Sequence, residues 1–278
     1  MKKTVLACSL LLAQYLVAAQ VKMPAPSTTQ YVKQDFGTAT IELTYSRPNL
    51  KGRTIIGKQD AYGEVWRTGA NAATKLKFNE VVSIGGKLID TGTYVLYTIP
   101  KKGNEWTVII NKGVTNWGAD GYKESEDVVR FTAPYSSNKK AFTESFTINF
   151  DKVLAESLEV VLQWDNWQVR FPITVNIKDK LRSQIEAALQ GEKKPYQTAA
   201  NFYYEWDKDY AKALTNVDKA IDANKKAFWL YLLKAKIQKE LGNNTASKEA
   251  AQTCITIATE AKNAAYVSQA NDLIKSLK

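Results

Sequence analysis

The chain of 278 residues has no histidine. That absence excludes Ser-His-Asp and Cys-His catalysis, imidazole-ligated zinc and histidine-based pH switching. Cysteine is almost as scarce, with Cys8 and Cys254 alone. Beyond the first twenty residues no apolar run approaches the roughly 18 needed to cross a bilayer. Nor is there a phosphate-binding glycine loop, a metal-ligand spacing or a concentrated basic stripe. The formal charge of +10 is spread over both halves of the chain, so nucleic-acid binding is not expected. Arginine is rare too, at six of 38 basic residues.

What is present begins with an export signal. Residues 1–19, MKKTVLACSLLLAQYLVAA, join Lys2 and Lys3 to an apolar run ending in small residues, the layout of a signal peptide cleaved after Ala19. Cys8 lies too early, with the apolar run continuing past it, to read as a lipid anchor. Two lysines leave with the signal, so the formal charge falls from +10 to +8. The mature chain is expected in the periplasm or outside the cell. With Cys254 as its one thiol it has no intrachain disulfide, and its stability must come from packed cores.

Residues 20–30 read as a Pro- and Ser/Thr-containing tether. From 31 to 177 the pattern alternates with period two. ATIELTYS sets Ala39, Ile41, Leu43 and Tyr45 on one face and Thr40, Glu42, Thr44 and Ser46 on the other, the mark of a half-buried strand. TYVLYTI, EWTVIIN, FTESFTINF, SLEVVLQW and WQVRFPITV behave alike. Turn residues such as Gly85-Gly86, Asp90-Thr91-Gly92 and Asp165-Asn166 separate such runs. Short strands with close turns predict an all-β antiparallel sandwich or partly closed barrel.

From 178 to 278 the period becomes about 3.6, predicting roughly six helices in an all-α array of helical hairpins. Gly191 is placed to cap the first, and Pro195 to open the next. KDYAKALTNVDKAIDAN resembles the second helix of a tetratricopeptide unit. Thirty-four residues on, Ser247 and Cys254 repeat the small positions of Ala213 and Ala220. The array is tetratricopeptide-like, and Cys254 reads as a small buried residue rather than a reactive thiol.

Lysine serves where solvated charge suffices, so the few arginines mark places that need a planar, multi-donor fork. Three lie in TYSRPNLKGRTIIGKQDAYGEVWRTGANAATKLKF. With IGGKLIDTGTYVLYTIP, EWTVIINK, NWGADGY, DVVRF and ESFTINF, this succession resembles the domain of unknown function 2911 family, found in exported proteins of Bacteroidota type. The resemblance runs to about residue 164 and brings no established activity or cofactor with it. It implies an exported protein, often with a helical tail.

Ser46, Arg47, Arg53, Tyr62, Trp66, Arg67, Thr68, Asn71 and Trp117 are the candidate ligand-binding residues. Arg47, Arg53 and Arg67 would face an anionic or polar ligand, with short polar groups beside them and Tyr62 and Trp66 as an apolar wall. The commoner role of such arginines is to pair with Glu64, Asp60 or loop carbonyls and pin the loops. Five tryptophans in the β half raise a glycan-binding possibility. Trp106 and Trp164 alternate in phase with core residues, whereas Trp117 and Trp167 are the surface candidates. Asp120, Glu124, Glu126 and Asp127 offer carboxylates for a histidine-free hydrolase of envelope glycan or peptide, but without the spacing of a calcium-binding EF-hand. No cofactor or metal is expected. The favoured reading is an exported, non-catalytic binding or scaffold protein whose helical region contacts a protein or peptide; the hydrolase is the alternative.

Overall fold

The computed structural model describes residues 23–277, so the predicted signal peptide lies outside the described residues. The chain divides into two compact units between Val175 and Asn176. Each has its own core.

The first unit holds eleven strands: β1 (Thr28–Phe36), β2 (Ala39–Arg47), β3 (Thr74–Phe78), β4 (Val82–Ile84), β5 (Lys87–Ile89), β6 (Gly92–Ile99), β7 (Glu105–Asn111), β8 (Asp127–Ser137), β9 (Thr143–Asp151), β10 (Ser157–Asp165) and β11 (Trp167–Thr174). They form one sheet in the order β1-β2-β3-β6-β7-β8-β11-β10-β9, with the β4–β5 hairpin attached to β11. All the strand pairs are antiparallel. β1 begins inside the predicted tether, because Thr28–Gln30 already pair with Arg47–Tyr45.

The sheet curls until its far edge returns to the chain that leaves β2. Asn49 bridges Ser145, Phe146 N donates to Pro48 O at 2.8 Å, and Leu50 N donates to Glu144 O at 3.0 Å. The result is a nearly closed barrel. This arrangement protects the exposed backbone of β9, which would otherwise template further pairing.

Alternation fills the interior as the pattern of β2 requires: Ala39, Ile41, Leu43 and Tyr45 are buried. At one end the core is aromatic. Trp66 stacks on Trp164 at 6.0 Å and 9°, while Phe146 packs against both and Trp106 lies 4.7 Å from Trp167. Each such ring removes some 150–250 Å² from water, a gross stabilisation of about 4–6 kcal/mol before chain entropy is counted.

The second unit contains α1 (Lys178–Ala188), α2 (Tyr196–Phe202), α3 (Tyr210–Ala223), α4 (Phe228–Glu240), α5 (Asn244–Glu260) and α6 (Ala264–Lys275). Consecutive helices pack as hairpins, and α4 also touches α6. The helical stretch after Pro195 turns into a π-helical segment, Tyr203–Asp207, which ends at Lys208 in the left-handed region (φ 57°). Asp209 caps α3 through Lys212 N, and Asn263 caps α6 through Tyr266 N. Gly242, with φ 76°, occupies the left-handed position after α4. Gly191 has no such conformation: the first helix closes on ordinary backbone turns instead. Ala213, Ala220, Ser247 and Cys254 are all buried, which lets paired helices approach closely. Burial also raises the Cys254 thiol above its ordinary pKa, disfavouring the reactive thiolate.

Candidate functional site

The long connection from β2 to β3 carries most of the candidate residues. Trp66 anchors it by exchanging two backbone hydrogen bonds with Thr98 of β6, at 2.7 and 3.0 Å. The chain then turns sharply, with Thr68, Gly69 and Asn71 all at positive φ. A β-carbon on Gly69 would lie 3.0 Å from the Ser46 carbonyl, so glycine lets this turn rest directly on β2.

Three candidates, Arg67, Asn71 and Ser46, are linked there by hydrogen bonds, and Thr68 next to Arg67 bonds to other partners. Arg67 Nη1 donates to Asn71 O at 3.1 Å. Asn71 Nδ2 donates to Ser46 Oγ at 3.3 Å and to Ser27 O at 3.2 Å. Thr68 is buried, shares a hydrogen bond with Thr98 Oγ1 at 3.1 Å, and accepts at its carbonyl from Thr74 Oγ1 at 2.6 Å. The half-buried guanidinium of Arg67 also covers Gly118, where a β-carbon would come within 2.9 Å of Nη1. That contact puts the turn beside the loop carrying Trp117, which is 68 % exposed. Among the described residues no carboxylate lies within ion-pair distance of Arg67. Burial raises the pKa of Asp60 above its ordinary value, and the charge of Arg67 partly offsets that rise.

The other two arginines spend donors on acceptors within the protein. Arg47 Nε donates to Phe146 O at 3.1 Å and Nη2 to Thr147 Oγ1 at 2.7 Å. Arg53 holds its own loop through Leu50 O at 3.0 Å, Asn49 O at 2.8 Å and Gln59 Oε1 at 3.3 Å. These are pinning contacts, made to carbonyls and polar side chains rather than to Glu64 or Asp60.

The expected aromatic wall is elsewhere. Trp66 is only 3 % exposed and belongs to the core. Tyr62 instead lines a separate cavity of about 180 Å³ with Tyr135, Trp164 and Trp167. Trp167, expected at the surface, is 8 % exposed, because neighbouring rings pack around it.

Three of the four acidic candidates are similarly engaged. Asp127 accepts from Asn111 Nδ2 at 2.8 Å, Tyr122 Oη at 2.8 Å and Arg130 Nη2 at 3.0 Å. Burial, then the hydrogen bond to Asp127, pushes Tyr122 up to about 12. Glu124 pairs with Arg130 at 3.4 Å and Glu126 with Lys123 at 3.3 Å. Asp120 is exposed. The arrangement ties the Asp127 carboxylate into the loop through three donors.

Periodicity alone did not reveal a groove of about 230 Å³ in the helical unit. It is lined by Gln197 and Asn201 of α2, Trp229, Leu233 and Lys236 of α4, and Tyr266 and Gln269 of α6. Alternate helices of the array, with Tyr204 and Glu205 of the π-helical segment, supply the lining. Among the described residues no helix is long and apolar enough to cross a membrane, and no group of three or more His, Cys, Asp or Glu is placed to hold a metal ion.

Fold and sites together define a two-unit protein, a nearly closed antiparallel barrel followed by six helices. A family model described as "protein of unknown function (DUF2911)" matches residues 27–173, and the chain belongs to that family. No curated protein and no solved structure matched the chain.

Proposed function

We propose that this is an exported, non-catalytic binding or scaffold protein of the cell envelope whose helical unit holds a peptide segment of a partner protein. The groove formed by α2, α4 and α6 carries this reading. Trp229, Leu233 and Tyr266 offer apolar anchors, while Asn201, Gln197 and Gln269 can satisfy the backbone groups of an extended segment. Trp229 is held in place by the bond from its Nε1 to Gln197 Oε1 at 3.1 Å. Small buried residues repeating at Ala213 and Ala220, then at Ser247 and Cys254, support the tetratricopeptide-like organisation. Export rests on the character of residues 1–19.

The full engagement of Asp127 supports binding over hydrolysis. Panning the mature chain against a displayed peptide library should yield ligands whose affinity falls at least about tenfold in Trp229→Ala. Charge reversal by Lys236→Glu should change the selected sequences. Turnover of a glycan or peptide that Asp127→Asn abolishes, with melting unchanged, would overturn the non-catalytic reading.

A further inference from the structure

We propose that the cavity beside Tyr62 in the barrel unit binds a small organic ammonium group, with Asp165 as its counter-ion. The cavity draws its lining from three separate parts of the chain. Tyr62 comes from the long β2–β3 connection, Tyr135 from β8, and Trp164, Asp165, Asn166 and Trp167 from the β10–β11 hairpin. Trp164 and Trp167 are directly paired across that hairpin. The two-residue link therefore places Asp165 next to these tryptophans in the lining of the cavity. Asp165 takes φ 52° there, a conformation that Asp tolerates better than most residues.

Three properties define the ligand. First, Asp165 is the one charged side chain lining the cavity, and among the described residues its carboxylate has no hydrogen-bond or ion-pair partner. A half-buried carboxylate in an aromatic setting favours a cation and opposes an anion. Second, aromatic rings attract ammonium groups through their π faces. Tyr62 already does so on its own account: Lys102 Nζ lies 5.8 Å from its ring centroid. Third, about 180 Å³ suits a head group rather than a drug-sized molecule, whose pockets typically reach roughly 300–1,000 Å³. A stacked sugar fits less well. Trp164 and Trp167 are largely buried and pack on Trp66 and Trp106, so they offer the walls of a hole rather than an open platform.

Titration calorimetry of the mature chain with choline tests this, using 3,3-dimethylbutanol as the neutral isostere. Choline should saturate the site, and the isostere should bind at least about tenfold more weakly. Asp165→Asn should weaken choline binding about tenfold. Tyr62→Leu, at an exposed rim position, should also weaken it, while Tyr62→Phe retains the ring face and the affinity. The Tyr62 pair keeps the test decisive if Asp165→Asn unfolds.

Two further arms identify the source of the cation. Cosedimentation with phosphatidylcholine vesicles, competed by choline, assigns a lipid head group; saturation by choline or Nα-acetyl-lysine amide without vesicle binding assigns a soluble cation. Equal binding of choline and its isostere, indifference to both Asp165→Asn and Tyr62→Leu, or no saturation by any of these cations would overturn the proposal. None of these results depends on the helical groove.

Discussion

Arg47 donates through Nε to the carbonyl of Phe146, 99 residues further along the chain. With the second bond to Thr147 Oγ1, a side chain continues the closure of the barrel where direct backbone pairing between the β2 extension and β9 ends. Beside it, Ile148 N donates to the Tyr45 hydroxyl at 3.0 Å. We predict that Arg47→Ala lowers the stability of the barrel unit by about 1–3 kcal/mol, since hydrogen bonds to a charged donor are at stake. Arg47→Lys should restore only part of this, because one ammonium cannot copy two donors in a fixed fork. Thermal unfolding followed by near-ultraviolet circular dichroism checks both variants. An unchanged melting temperature in Arg47→Ala would remove the seam from the stability of the fold.

That contact also marks the limit of what the sequence makes legible. Local alternation identifies the inward face of β2, since Ala39, Ile41, Leu43 and Tyr45 obey a rule that needs only neighbouring residues. Helical periodicity and the small residues around Ala213 and Cys254 likewise reveal the second unit. No local pattern registers β2 against β9, so neither the closed seam nor the partners of Arg47 can be read in advance. Arg67, Thr68 and Asn71 share a short stretch of chain with its turn residues, whereas Ser46, which Asn71 meets, lies 25 residues earlier on β2. Tyr62 and Trp66 are close in sequence as well, but the bridge to Thr98 carries Trp66 into the core while Tyr62 remains at a different cavity. Proximity in sequence is a poor guide to direction where a loop crosses a barrel rim.

In the helical unit, the buried carboxylate of Asp207 receives Arg182 Nε at 2.9 Å and a second bond from Nη2. Lys178 lies 3.5 Å away. Arg182 holds the Asp207 pKa below its ordinary 3.8. A depressed carboxylate contributes stability in full above its unfolded pKa, and loses that contribution as pH falls through the folded value. We therefore predict acid-induced loosening of the helical unit below about pH 4. Asp207→Asn should flatten this dependence while lowering stability at neutral pH. Chemical unfolding across the acid range provides the measurement, and an unchanged acid slope in Asp207→Asn would refute the assignment.

Tyr122 gives the opposite dependence. Its folded pKa is raised from 10.0 to about 12, so its contribution is complete below pH 10 and is lost as pH rises towards 12. Tyr122→Phe gives up the hydrogen bond to Asp127, at a cost of about 1 kcal/mol near neutrality. It should then lose less stability than the parent between about pH 9 and pH 11. Urea unfolding at the two pH values measures the difference. A parallel fall in both proteins would assign the alkaline loss to other tyrosines, several of which are also raised by burial.

Gly118 and Arg67 should behave as a coupled pair. Gly118 has φ 76°, and a β-carbon there would meet Arg67 Nη1 at 2.9 Å. We predict that Gly118→Ala costs about 1–2 kcal/mol, from backbone strain together with displacement of the guanidinium. Arg67→Ala should cost about 1 kcal/mol for the bond to Asn71 O. In the double variant the clash is gone while the strain remains, so the combined loss should be less than additive by about 0.5–1 kcal/mol. Strict additivity would show that the guanidinium moves aside freely and does not hold the turn against the Trp117 loop. Arg67→Lys then separates stability from binding. Lost capture of a polar or anionic ligand with unchanged melting would assign Arg67 to a ligand, whereas parallel losses in Arg67→Lys and Gly118→Ala would make it a clasp between two loops.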